Sequence, residues 1–84
     1  MSRDDGYKNY VRDLVYRLRE NGAKAVAQGR GAQSGREFQQ GRAMAYIEIL
    51  SMMQNQADVF QIDRDDLLLS GFDPLNDPLD PPRS

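Results

Sequence analysis

The sequence predicts an all-α fold: an antiparallel helical hairpin of two long helices, followed by a short third helix and an extended acidic, proline-rich tail. Three observations support this. Two long segments carry apolar residues at helical spacing, a glycine-rich stretch separates them, and all four prolines lie close to the C-terminus. We expect residues 1–71 to form the hairpin domain and residues 72–84 the tail, with two hairpins associating into a four-helix bundle.

The first helix is predicted from about Asp4 to Gln28. Asp4 and Asp5 stand at its start, where carboxylates accept hydrogen bonds from free N–H groups and favour the positive end of the helix dipole. The pattern leaves open a break at Gly22, because glycine suits a helix end but good helix formers follow it. The apolar residues that recur three and four positions apart are Tyr7, Tyr10, Val11, Leu14, Val15, Leu18, Ala25 and Val26.

The stretch "GRGAQSGREF" from Gly29 to Phe38 resembles a phosphate-binding loop only in its glycine content. Its glycines do not match the spacing of either common phosphate motif, and both motifs require a preceding strand. Ser34 followed by Glu37 instead matches the capping box S-x-x-E. We therefore predict a hairpin turn in which Ser34 caps the second helix, so that Ser34→Ala costs about 1 kcal/mol of stability.

The second helix is predicted from Gly35 to Gln61, and it carries more apolar surface than one neighbouring helix can cover. At 100° per residue its apolar positions span roughly 200°, and Met44 and Ile47 lie outside even this arc. The surplus predicts contact with a second copy or another protein. The predicted partner or dimer interface comprises Phe38, Met44, Tyr46, Ile47, Leu50, Met53 and Phe60.

The last part of the chain is predicted to contain a short helix from Arg64 to Ser70, capped by Asp63 and ended by Gly71. Beyond it, prolines exclude a regular element. Phe72, Leu75 and Leu79 are candidate anchors of a docking tail. The sequence does not decide whether they dock on the chain's own hairpin or on a partner.

Composition narrows the function. The 84 residues contain neither Cys nor His, which removes the usual nucleophiles, general bases and metal ligands near neutral pH. The carboxylates after Ile62 do not match a calcium loop, because Leu68 and Pro74 occupy the positions that require Gly and Glu. We therefore expect no enzyme activity, no catalytic residue, no cofactor and no metal. The absence of a long apolar run or secretion signal predicts a cytoplasmic protein without a membrane segment.

Charge suggests an alternative function. Residues 1–45 contain nine Lys or Arg and five Asp or Glu, a net charge of +4, whereas residues 46–84 have a net charge of −6. A nucleic-acid-binding regulator would use the basic first helix and turn. Its candidate contacts are Lys8, Arg12, Arg19, Arg30, Arg36 and Arg42.

The second helix carries an E-F-x-x-G-R opening, a tyrosine-containing stretch, L-S and a Q-x-x-A-x-x-F ending, followed by the acidic "GFDPLNDPL". In these features the chain resembles small uncharacterised helical-hairpin proteins encoded by phages and prophages of proteobacteria. The resemblance, carried by residues from Glu37 to Phe60 and the tail, implies a phage-type protein that binds and modulates a host protein, and it implies no active-site residue. The leading prediction is thus a non-enzymatic protein–protein interaction module that acts as a homodimer.

Overall fold

The computed structural model describes residues 3–31 and 34–82, and its long elements are two α-helices. Helix α1 spans Arg3–Gly31 and helix α2 spans Arg36–Val59. Gly22 lies beside Tyr46 and Gly29 lies beside Gln39, so the two helices run antiparallel. A 3-10 helix follows at Arg64–Leu67, and the described residues contain no strand. The all-helical hairpin is confirmed, and its longest dimension is 49 Å.

Helix α1 continues without a break through Gly22. A Cβ atom at this position would lie 2.9 Å from Leu79 Cδ1 and 3.1 Å from Tyr46 Cβ, both closer than ordinary van der Waals contact. The missing side chain therefore lets α2 and the C-terminal segment approach α1 together. Glycine in a helix interior costs about 1 kcal/mol relative to alanine. At Gly22 the close packing of α2 and the C-terminal segment against α1 outweighs this cost.

The predicted capping box at Ser34 is wrong. The N-cap of α2 is Gly35, with a left-handed φ of 74°, and no side chain caps this helix end. Gly35 contributes its carbonyl, which accepts a hydrogen bond from Gln39 N at 3.1 Å. Backbone conformation rather than side-chain capping thus sets the start of α2, one residue later than predicted.

We expect Gly35→Ala to lower the free energy of unfolding by about 1 kcal/mol, because a Cβ atom is disfavoured at left-handed φ. Ser34→Ala should change it by less than about 0.5 kcal/mol, since the hydroxyl caps nothing. Urea denaturation followed by circular dichroism measures both variants. A larger loss for Ser34→Ala than for Gly35→Ala would contradict this account of the turn.

Helix α2 ends two residues earlier than predicted because Gln61 adopts a left-handed φ of 59°. The next N–H, that of Ile62, then turns back to Ala57 O at 2.7 Å, which satisfies a free carbonyl of the last turn. Asp63 caps the following element as predicted, accepting from Asp65 N at 2.9 Å. That element is a single 3-10 turn closed by Leu68 in the left-handed region, so the predicted helix to Ser70 and its cap at Gly71 are wrong.

The core has three parts, because residues 67–79 fold back onto the two helices. Val15 of α1 and Leu50 and Ala57 of α2 form one buried cluster with side chains of the C-terminal segment. Pro74–Asn76 form a turn, so this segment is bent rather than extended. The structure thus shows the tail docked on its own hairpin. The C-terminal members of the cluster are Leu67, Leu69, Phe72 and Leu79.

Two buried polar side chains hold the C-terminal segment by its backbone carbonyls. Arg19 donates from Nε to Leu79 O at 3.1 Å, from Nη1 to Leu68 O at 2.6 Å and from Nη2 to Asp80 O at 2.8 Å. Its guanidinium carbon lies 3.8 Å from the centre of the Phe72 ring, a cation–π contact. Burial lowers the pKa of Arg19, and the nearby Asp80 partly opposes this shift.

Gln54 makes the matching contact from α2. Its Nε2 donates to Leu69 O at 3.0 Å and to Phe72 O at 2.6 Å. A segment without helix or strand has carbonyls that lack regular partners, and burying them unpaired is costly. Arg19 and Gln54, hereafter the carbonyl clamp, meet this requirement, and among the described residues no buried side-chain polar atom lacks a partner.

The turn after Phe72 is closed by its own acidic side chains. Asp73 accepts from Leu75 N at 3.0 Å and from Asn76 Nδ2 at 2.6 Å, and these hydrogen bonds lower the pKa of its carboxyl group, the Asn76 bond most. The Asp77 carboxylate in turn accepts a hydrogen bond from Asp73 N at 2.8 Å. The turn directs Leu75 outward while the chain returns to place Leu79 against α1.

Candidate interaction surface

Helix α2 has a second, mainly apolar stripe on the side opposite its buried face, interrupted by Gly41 and Gln56. The buried face consists of Ala43, Leu50, Gln54 and Ala57. The other stripe repeats every three or four residues, as the seam of a coiled coil does. We call it the outer seam; its residues are Phe38, Gly41, Ala45, Ile49, Met52, Gln56 and Val59.

The outer seam is uncovered. Phe38 is 68% exposed, Met52 57%, Val59 72% and Ile49 36%. At 1.5 Å per residue the seam extends over about 32 Å. Single exposed apolar side chains are ordinary on protein surfaces, but several of them aligned along one helix are typical of an interaction surface.

Grooves border the outer seam on both sides. One, of about 530 Å³, is bounded by Leu75 of the docked segment and has a mixed lining, with apolar Met44, Ile47, Met52 and Val59 and polar Glu48, Ser51, Asn55 and Gln56. The other lies at the C-terminal end of α2, where Met53, Phe60 and Ile62 surround an apolar cleft. Apolar side chains therefore lie on both sides of the seam, interspersed with polar ones on the side of the docked segment.

Charges along α2 differ between its two halves. The N-terminal half carries Arg36, Glu37 and Arg42, and the C-terminal half carries Glu48 and Asp58. Arg42 donates to Gln39 Oε1 at 3.1 Å, and Asp58 pairs with Arg64 at 2.7 Å. The hydrogen bond from Arg64 lowers the pKa of the Asp58 carboxyl group. The helix is thus net positive in its first half and net negative in its second.

The residues of the predicted interface are divided between the core and the surface. Leu50 is fully buried in the core of its own chain, so its inclusion was wrong. Tyr46, Ile47 and Met53 are half-buried, and the last two pack against the core cluster. Phe38, Met44 and Phe60 are exposed. Ile49, Met52 and Val59 belong to the outer seam although the predicted interface omits them.

The structure also separates the predicted tail anchors. Phe72 and Leu79 are buried in the core cluster, whereas Leu75 is exposed. The two leucines occupy equivalent places in the repeated Asp-Pro-Leu of residues 73–75 and 77–79. The turn closed by Asp73 and Asp77 accounts for their different burial.

The six basic residues proposed for nucleic-acid contact do not form one surface. Arg19 is 6% exposed and belongs to the carbonyl clamp, so its assignment to that surface was wrong. Lys8 pairs with Asp66 at 3.6 Å, and Arg12 is exposed nearby on α1. Arg30 and Arg36 line a gap at the turn end of the hairpin, about 33 Å along α1 from Lys8. Arg42 contacts Gln39 and Gln28.

Sequence reasoning missed the carbonyl clamp, although spacing contained a signal for it. Arg19 follows Val15 by four residues and precedes Gly22 by three, which places it on the buried face of α1. Gln54 has the same relation to Leu50 and Ala57 on α2. A polar residue at such a position indicates a buried partner, and carbonyls of an irregular segment are suitable acceptors.

Comparisons with protein-family models, curated proteins and solved structures found no match to this chain. In residues 3–31 and 34–82, neither long helix has an apolar stretch that could cross a bilayer. The same part of the chain holds no group of three acidic side chains arranged to bind a metal ion.

Proposed function

We propose that the protein is a non-enzymatic protein–protein interaction module that acts as a homodimer joined through the outer seam. The observation that carries this proposal is an apolar stripe on α2 that remains exposed although the opposite face of the same helix is already buried. Leaving Phe38, Met52 and Val59 in water forgoes on the order of 1.5–3 kcal/mol for each side chain. A second copy covers the same stripe on both chains at once, as expected for a symmetric dimer.

The carbonyl clamp gives this proposal a second support. The docked segment occupies the groove between α1 and α2 and is fixed there by hydrogen bonds to Arg19 and Gln54. Within its own chain, that segment therefore cannot also cover the outer face of α2. The exposed apolar surface of the second helix is therefore available to another molecule, which supports the proposed dimer.

The mass of the protein in solution tests the proposal. We expect light scattering coupled to size exclusion at micromolar concentration to give twice the chain mass of 9.6 kDa. Met52→Glu should weaken association on the order of 100-fold, because each copy would bury an unpaired carboxylate in the interface. Met52 is exposed in a single chain, so the variant should keep its helical circular dichroism spectrum.

Gln40→Glu is the matched control. It adds the same charge to an exposed position of α2 that lies away from the outer seam. We expect this variant to remain dimeric. A monomeric unmodified protein, or equal effects of the two substitutions, would refute the proposed dimer.

A further inference from the structure

We infer that the outer seam binds a second copy in antiparallel orientation, with the two-fold axis passing between Glu48 and Ile49. The inference rests on the proposed dimer and specifies its partner and geometry. Its basis is that the seam is nearly symmetric about this point. A second α2 helix that runs in the opposite direction about this axis places its Val59 opposite Phe38, its Gln56 opposite Gly41 and its Met52 opposite Ala45.

Side-chain size favours this arrangement. In the antiparallel pairing the two smallest seam residues, Gly41 and Ala45, each face a long side chain of the other copy, namely Gln56 and Met52. Alternating large and small residues across a contact fills space without voids. A parallel pairing would place Gly41 against Gly41 and Ala45 against Ala45, which leaves a gap, while Phe38 would meet Phe38.

Helix polarity favours the same arrangement. Antiparallel packing sets the positive N-terminal end of each α2 beside the negative C-terminal end of the other, whereas parallel packing sets like ends together.

This geometry places the two α2 helices in the middle of the assembly. Each α1 lies on the far side of its own α2, since the buried face and the outer seam are on opposite sides of that helix, and only Leu75 of the docked segment comes near the seam. The four helices would then form a layer in the order α1, α2, α2, α1. The square arrangement of many four-helix bundles is not the expected one.

Single cysteines can test the orientation, because the chain contains none of its own. A disulfide requires Cα atoms within about 7 Å. Residues next to the axis meet their own copy, so Ile49→Cys should form a covalent dimer under mild oxidation. Ala45 and its copy are offset by about 10 Å along the helix, at 1.5 Å per residue, so Ala45→Cys alone should not.

The decisive sample is an equimolar mixture of Ala45→Cys and Met52→Cys chains. We expect covalent dimers on a non-reducing gel to form roughly ten-fold faster in the mixture than with either variant alone, because only the mixed pair meets the distance requirement. Gln40→Cys, which is exposed but lies outside the seam, measures the rate of random collisions.

The outcomes separate this inference from the proposed function. Cross-linking of Ala45→Cys or Met52→Cys alone at the rate of Ile49→Cys would show a parallel dimer and overturn the inference. A dimer by light scattering in which no seam cysteine cross-links above the Gln40→Cys rate would overturn it as well. A monomer by light scattering would instead overturn the proposed function.

Discussion

Replacing Arg19 by Met is expected to lower the free energy of unfolding by about 3 kcal/mol. The substitution leaves the carbonyls of Leu68, Leu79 and Asp80 without the donor that they share. An unpaired acceptor costs about 1–3 kcal/mol where it is buried, as that of Leu79 is, and less where it is partly buried, as the other two are. Removing the cost of burying the guanidinium offsets part of this loss. A domain of this size has a total stability on the order of 5–10 kcal/mol, so the effect is large.

Arg19→Lys distinguishes charge from geometry. Lysine keeps the positive charge but donates from a single nitrogen, whereas the guanidinium reaches three carbonyls in different directions. We expect a stability between those of the unmodified protein and Arg19→Met, measured by urea denaturation. Arg12→Met, at an exposed position of the same helix, should change stability by less than about 0.5 kcal/mol. Equal stabilities of Arg19→Met and Arg12→Met would show that the carbonyl clamp does not stabilise the fold.

Leu79→Ala is expected to cost about 2–4 kcal/mol, while Leu75→Ala costs less than about 0.5 kcal/mol. The two leucines end identical Asp-Pro-Leu triplets, so the comparison holds local sequence nearly constant. Leu79 is 4% exposed and packs beside Gly22, whereas Leu75 is 68% exposed. Urea denaturation of both variants makes the measurement. Similar losses would mean that the segment is not docked as described.

Thermal unfolding of these two variants provides a second measurement of the same difference. For a chain of this size, 1 kcal/mol shifts the melting temperature by roughly 4–8 °C. Leu79→Ala should therefore melt well below Leu75→Ala. Because Leu75 borders the groove beside the outer seam, weaker association of Leu75→Ala without loss of stability would indicate that the docked segment also contacts the second copy in the proposed dimer.

The hairpin could be predicted from the sequence because helical spacing is a local property. Residues three and four apart lie on one face whatever the rest of the chain does, so the apolar stripes around Val15 and Leu50 predict two helices. Their exact ends were less predictable. Gly35 and Gln61 set the boundaries of α2 by adopting left-handed backbone conformations, whereas the sequence pattern favoured capping by Ser34.

The surplus of apolar surface on α2 was also predictable, but its position was not. The apolar arc of α2 is wider than the face that one neighbouring helix covers, and periodicity alone does not tell which part of the arc packs against α1. The core occupies the part around Leu50, which had been assigned to the interface, and leaves Ile49 and Met52 outside. The position of the docked segment decides this, because it covers one side of the helix pair.

The docking of the C-terminal segment depends on contacts that no local pattern encodes. Arg19 meets carbonyls about 60 residues later in the chain, and backbone acceptors carry no residue-type signature. For the same reason two identical triplets could not be told apart before their surroundings were known. Leu79 is the buried leucine because Gly22 leaves space for it, Gln54 fixes the preceding segment and the turn at Asp73 brings the chain back to α1.

The long sequence separation between Arg19 and its acceptors has a consequence for synthesis of the protein. Translation proceeds from the N-terminus, so both helices leave the ribosome before the residues that bind the guanidinium. Until Leu79 and Asp80 emerge, the nascent hairpin presents an open groove with a charged side chain and unshielded Val15 and Leu50. The groove is therefore closed only once residue 80 is available, and until then the cluster around Val15 and Leu50 lacks its last C-terminal members.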